Sequence, residues 1–170
     1  MMLRLLMAVP FVAAAGCASR DTTLVEAFPP AATADPWFLQ ESVWTGSFET
    51  AVEALGDDAQ TWAGCNPTQV WLAVYCHREL PQRCLKIRAF AFADVADARR
   101  AFAAFQPPDA KRYHVGDEGC WTEIGVLFRW GRVVFDVFGP EASWGSQVQS
   151  SYLAAILVKR IPPALVENPR

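Results

Sequence analysis

Two stretches of this chain, Gln69–Phe92 and Glu123–Phe138, each double back as a pair of strands, and nothing else in the sequence constrains the fold as much. In the first, Gln69–His77 carries Val70, Trp71, Val74 and Tyr75, and Cys84–Phe92 alternates Leu85 and Ile87 with Lys86 and Arg88. Period-two alternation of this kind marks a strand with one buried face. Toward its end the pattern blurs, because Phe90 and Phe92 share parity with the charged residues. In the second, Glu123–Trp130 and Arg132–Phe138 flank Gly131, and Gly139-Pro140 ends the pair. Gly125 inside a strand signals a bulge or a close backbone approach.

Helices fill the intervals. Asp94–Phe105 is the clearest. Asp94 is placed to cap it, with Asp97 at the third helical position, and Val95, Ala98, Phe102 and Phe105 form an apolar stripe before Pro107-Pro108 stops it. Ser146–Lys159 is the last helix, with Val148, Tyr152, Ala155 and Ile156 along one side and basic residues at its C-terminal end. Glu49–Asp58 suits either a short helix or a strand. Trp62–Pro67 reads as a loop, Lys111–Val115 as a short strand, and Gly116–Gly119 as a turn. The order predicts an α+β fold: an antiparallel sheet built from two hairpins, with two helices packed on one face.

The first sixteen residues stand apart. Arg4 precedes the apolar run Leu5–Ala15, which is too short to span a bilayer and is interrupted by Pro10. It ends in Ala14-Ala15-Gly16-Cys17, which resembles the bacterial lipobox, with Ala14 where that motif usually has Leu. The resemblance implies cleavage after Gly16 and acylation of Cys17. Ala18 and Ser19 follow without the Asp that often retains lipoproteins in the inner membrane, which implies export to the outer membrane. An ordinary Ala-x-Ala cleavage that releases a soluble protein is the competing reading. Ala18–Pro36, rich in Ala, Thr and Pro, reads as a tether, so residues 17–36 are expected to be flexible and 37–170 to form one domain. Leu24, Val25 and Phe28 are the tether residues able to dock locally.

Losing Arg4 with the leader takes Lys plus Arg from 15 to 14 while Asp plus Glu stays at 18, so the formal charge moves from −3 to −4. An acidic chain without a basic cluster is not a nucleic-acid binder. Export places Cys65, Cys76, Cys84 and Cys120 where thiols oxidise. A hairpin folded near Leu80 sets Cys76 opposite Cys84 at a separation that a disulfide bridges with a small adjustment. Cys65–Cys120 then follows by elimination. Zinc is the rival use of these cysteines, but no C-x2-C pair is present, and adjacent Cys76 and His77 point to opposite faces of a strand.

Over residues 85–161 the chain resembles a family of uncharacterised exported bacterial lipoproteins. The similarity rests on Asp94-Val95-Ala96-Asp97-Ala98, on Val115-Gly116-Asp117-Glu118, and on Phe128-Arg129-Trp130-Gly131-Arg132-Val133 through Val137. It implies an envelope location and assigns no catalytic residue.

No constellation carries chemistry. His77 and His114 are the two histidines, no G-x-S-x-G is present, and Ser143, Ser146, Ser150 and Ser151 suit capping and solvation. His114 lies within turn reach of Glu118. Asp117 and Glu118 are paired carboxylates of the kind that glycosidases use, yet adjacent turn residues rarely face one site. Phosphate-loop and dinucleotide fingerprints are absent, so no cofactor is implied. Of seven tryptophans, Trp121, Trp130 and Trp144 fall at or near turns, where they either close the ends of the core or form a binding surface. The expected function is a non-enzymatic binding or structural domain on a lipid anchor, with the membrane and a protein or glycan of the envelope as partners. The alternatives are a cell-wall-directed hydrolase that uses Glu118 and a glycan-binding module.

Overall fold

The computed structural model describes residues 22–162; Cys17 and the leader lie outside them. The order is α1 Thr22–Ala27, α2 Ala31–Ala34, β1 Trp37–Leu39, β2 Trp44–Gly46, α3 Phe48–Leu55, α4 Asp58–Ala63, β3 Gln69–His77, β4 Cys84–Ala91, α5 Val95–Phe105, β5 Glu118–Trp121, β6 Gly125–Trp130, β7 Val133–Phe138 and α6 Trp144–Arg160. One seven-stranded antiparallel sheet runs β1-β3-β4-β7-β6-β5, with the short β2 also paired to β3. The fold is therefore α+β. Both expected hairpins form, and Cys76 pairs with Cys84 in the β3–β4 register. Gly125 is a close approach: a Cβ there would stand 2.0 Å from the Val137 carbonyl oxygen.

Helices cover both faces of the sheet, not one. Trp71, Ala73, Tyr75, Leu85, Ile87, Phe128 and Phe135 pack with Leu24 and Phe28 of the N-terminal segment and with Leu153, Ala154 and Leu157 of α6. On the other face, Val70, Phe90, Leu127 and Val134 pack with Ala51 and Leu55 of α3, Trp62 of α4, and Ala98, Ala101 and Phe102 of α5. The physical reason lies in the central strands. Successive residues point to opposite faces, and Val133, Val134 and Phe135 are all buried. Phe90 and Phe92, whose parity conflicted with a solvated face, belong to this second layer.

Several local expectations change. Lys111–Val115 is not a strand, with only Arg112 bridged to Cys120, and Glu118 and Gly119 belong to β5 rather than to a turn. Residues 22–36 are part of the domain: Leu24, Ala27, Phe28 and Ala34 are buried, and the Tyr75 hydroxyl donates to the Pro29 carbonyl at 2.9 Å. The i, i+3, i+4 spacing of Leu24, Ala27 and Phe28 is what docks the segment. Trp62 sits in α4 rather than a loop, stacked between Phe90 and Phe105 at 3.7 Å from each ring. Helix α6 buries Ser146, Ser150, Leu153, Ala154 and Leu157, as does Ile161 just after it, and leaves Val148 and Tyr152 exposed. The two serines disguise the true inward stripe. As expected, the Asp94 carboxylate caps α5, accepting from the Asp97 N–H at 2.8 Å.

Candidate functional site

On the face that carries α3, α4 and α5, those helices cover only one half of the central strands. Beyond Leu55 the sheet surface is open, and Leu72 and Val74 of β3, Lys86 and Arg88 of β4 and Phe138 of β7 floor a groove of about 420 Å³. Gln40, Glu41, Ser42 and Trp44, with Ala54 and Leu55 at the end of α3, form its walls. Trp44, 36% exposed, stands among the groove-lining residues.

The groove floor holds an ion cluster. Asp136 is the one acidic residue in Val133–Phe138, and it faces Arg88 across the β4–β7 register. Arg88 donates to Asp136 Oδ2 through Nε at 3.2 Å and NH2 at 2.6 Å, and through NH1 to Asp58. Its guanidinium also lies 4.4 Å from the Phe138 ring centre, a cation–π arrangement. The Arg88 and Asp136 side chains are only 14% and 13% exposed, against 59% for Asp58. Burial holds the Asp136 carboxyl above its ordinary range despite the pull of Arg88. Burial acts to lower the Arg88 pKa, but Asp136 and Asp58 together keep it above its usual value. Held by Asp136 and Asp58, Arg88 orders the floor, while Trp44, Lys86 and the rim carboxylate of Glu41 also line the groove and are free to meet a ligand.

The residues singled out from sequence have other work. Asp117 and Glu118 hold Arg129, which is 2% exposed: Arg129 NH1 donates to Asp117 Oδ2 at 2.8 Å, and its Nε donates to Glu118 Oε2 at 3.0 Å. Asp117 Oδ2 also accepts from the Gly131 N–H at 2.8 Å, which ties the bend at residues 115–117 to the β6–β7 hairpin. His114, Asp117 and Glu118 all line a cleft of about 340 Å³ beside α6; both carboxylates are turned to Arg129 there, and His114 makes no hydrogen bond to either. His77 Nδ1 accepts from the Glu79 N–H at 3.2 Å and serves the β3–β4 turn. Among the described residues, no three His, Cys, Asp or Glu side chains gather to hold a metal.

Cys76 and Cys84 form a disulfide with Cα atoms 4.0 Å apart. The second expected pair is not formed: Cys65 and Cys120 are free thiols in the core layer shared by α4 and α5. Assignment by elimination fails because a free cysteine packs like a small apolar residue. Burial pushes the Cys65 thiol up, and burial with a contribution from Asp136 takes Cys120 to about 11, so neither is a ready thiolate.

Of the three tryptophans singled out as a binding surface, the structure sets Trp121 and Trp130 apart. Trp121 pairs with Val126 at the start of β6, and Trp130 closes its end. Four residues of strand, about 13 Å, separate those positions. Both rings pack against the α6-side core, with Trp121 4.6 Å from Tyr113. Trp144 opens α6, and its side chain lies outside the described part. The exposed aromatic at the groove is Trp44, which lies in a three-residue strand too short to read by period.

Together these features define an α+β domain with a charged, aromatic-edged groove over the uncovered half of its sheet. Compared with protein-family models, curated proteins and solved structures, the chain matches none.

Proposed function

We propose that this chain is an exported, lipid-anchored protein whose domain binds a ligand without transforming it, in the groove that contains Trp44, Lys86 and Arg88. The observation that carries this reading is the ordered cluster on the groove floor: Arg88 is fixed between Asp136, Asp58 and the Phe138 ring, beside an indole open to solvent. A buried ion pair is costly to form, and it fixes the shape of a concave surface in a way that an apolar floor does not. The ion pairs that Asp117 and Glu118 make with the buried Arg129 favour a structural role for these carboxylates over the hydrolase alternative.

Export and anchoring rest on the Leu5–Cys17 pattern, and the Cys76–Cys84 disulfide supports a compartment in which thiols oxidise. No helix among the described residues is long and apolar enough to cross a membrane, and acyl chains on Cys17 would give stable attachment. An exposed indole with carboxylates nearby also offers what a sugar ring stacks on, which moves the glycan-binding reading from Trp121, Trp130 and Trp144 to Trp44.

The test is tryptophan fluorescence titrated with peptidoglycan fragments and envelope polysaccharides. Saturable quenching that disappears in Trp44→Ala, with the fragments recovered intact, is the expected result. Binding that survives Trp44→Ala together with Lys86→Ala, or fragment cleavage abolished by Glu118→Gln, would overturn the proposal.

A further inference from the structure

Because residues 22–36 are docked rather than loose, the lipid anchor sits close to the domain, and its position orients the domain. Five residue steps separate Cys17 from Thr22, a reach of at most about 18 Å for a fully extended chain. Helix α1 is six residues long, about 9 Å. At its far end the Glu26 carbonyl accepts from Arg160 at 3.0 Å. The anchor therefore enters the bilayer on the side of the domain that carries α1 and the last turn of α6. A body of this size is roughly 35–40 Å across, so a leash of that length cannot pass around it.

Charge points the same way. Lys159 and Arg160 form the last turn of α6, are exposed, and have no ion pair among the described residues. Cationic side chains beside an acyl anchor are drawn to acidic headgroups, each with a modest gain that falls away within a Debye length. Sheet topology fixes the rest. Helices α1 and α6 share one core layer, whereas Lys86 and Arg88 alternate with Leu85 and Ile87 and face away from that layer.

We infer that the α1–α6 layer is a membrane-apposed surface that takes acidic phospholipid headgroups on Lys159 and Arg160, and that it holds the groove facing away from the bilayer. This rests on the lipidated Cys17 of the proposed function. The groove would thus be presented outward, at a fixed height of about one domain above the membrane.

Three lysines make the test direct: Lys86 in the groove, Lys111 before β5, and Lys159 beside the anchor. Lipidated protein purified from membranes is reconstituted into phosphatidylcholine vesicles with or without phosphatidylglycerol. It is then treated with an amine-acylating reagent, and the extent of labelling is mapped lysine by lysine. The expected result is a severalfold loss of Lys159 labelling relative to Lys86, deeper with phosphatidylglycerol and partly reversed by salt. In Arg160→Gln, the phosphatidylglycerol-dependent part of the Lys159 protection should shrink while vesicle binding persists. Equal protection of Lys86 and Lys159, or the same protection from inorganic phosphate in detergent, would overturn the inference while leaving the anchor standing. Protein that fails to partition into vesicles at all would instead refute the anchor, and the orientation with it.

Discussion

Replacing Arg88 with methionine isolates the ion cluster on the groove floor. Methionine keeps the length of the stem and removes the charge. Asp58 is 59% exposed and rehydrates, but Asp136, at 13%, is left as a carboxylate without a counter-ion. Breaking a buried pair by deleting one partner costs about 3–5 kcal/mol. With an m-value of about 2 kcal/mol per molar urea, the midpoint should fall by about 1.5–2.5 M. The cost also depends on pH. In the native protein Asp136 is already held above its ordinary range by burial, so its ionisation weakens the fold as pH rises through that raised pKa. Without Arg88 the carboxyl rises further. The variant should therefore recover stability relative to wild type as pH is lowered from neutral into the range where Asp136 takes up its proton. Arg88→Met combined with Asp136→Leu removes both charges and should regain most of the loss, since an apolar pair of similar volume is often neutral. The assay is urea unfolding followed by far-ultraviolet circular dichroism at neutral and acid pH. A midpoint shift under about 0.5 M, or a double variant as unstable as the single one, would show that Arg88 and Asp136 are not a buried ion pair.

Leu24→Ala should destabilise the domain by about 2–5 kcal/mol, because Leu24 is 1% exposed; a change within error in chemical denaturation would return residues 22–36 to the status of a tether. Gly125→Ala places a methyl group against the Val137 carbonyl and should lower stability by about 1–3 kcal/mol or more, measured by thermal unfolding. Thiol titration should find Cys65 and Cys120 slow toward Ellman's reagent in the native protein and fully reactive once unfolded, because both thiols are raised by burial.

The parts of the fold legible in the sequence are those fixed by local rules. Alternation set the β3–β4 and β6–β7 hairpins, and the turn near Leu80 placed Cys76 against Cys84. Asp94 marked the start of α5 through its capping oxygen. What escaped depends on tertiary context. Strands such as Val133–Phe138 are buried on both faces, so they do not report how many helix layers cover them. Ser146 and Ser150 lie on the inward face of α6, and the apolar Val148 and Tyr152 lie outside it, which reverses the apparent stripe. Three-residue strands such as Trp44–Gly46 carry no readable period.

The groove left one usable signal, Asp136 alone in an apolar strand beside the Lys86 and Arg88 of another. Pairing β4 with β7 is the step that joins them, and neither hairpin by itself specifies it. Asp117 and Glu118 read as turn residues, and their role as partners of Arg129 is visible only in register.

Mass analysis of the N-terminal peptide and the cysteine peptides, from protein extracted from the membranes of the native cell, tests the account most directly. A mature chain beginning at Cys17 and carrying a diacylglyceryl thioether and an N-acyl group, with Cys76 joined to Cys84 and with Cys65 and Cys120 unmodified, is the predicted result. A chain that retains Met1–Gly16, with an unmodified Cys17 and all remaining thiols reduced, would contradict it.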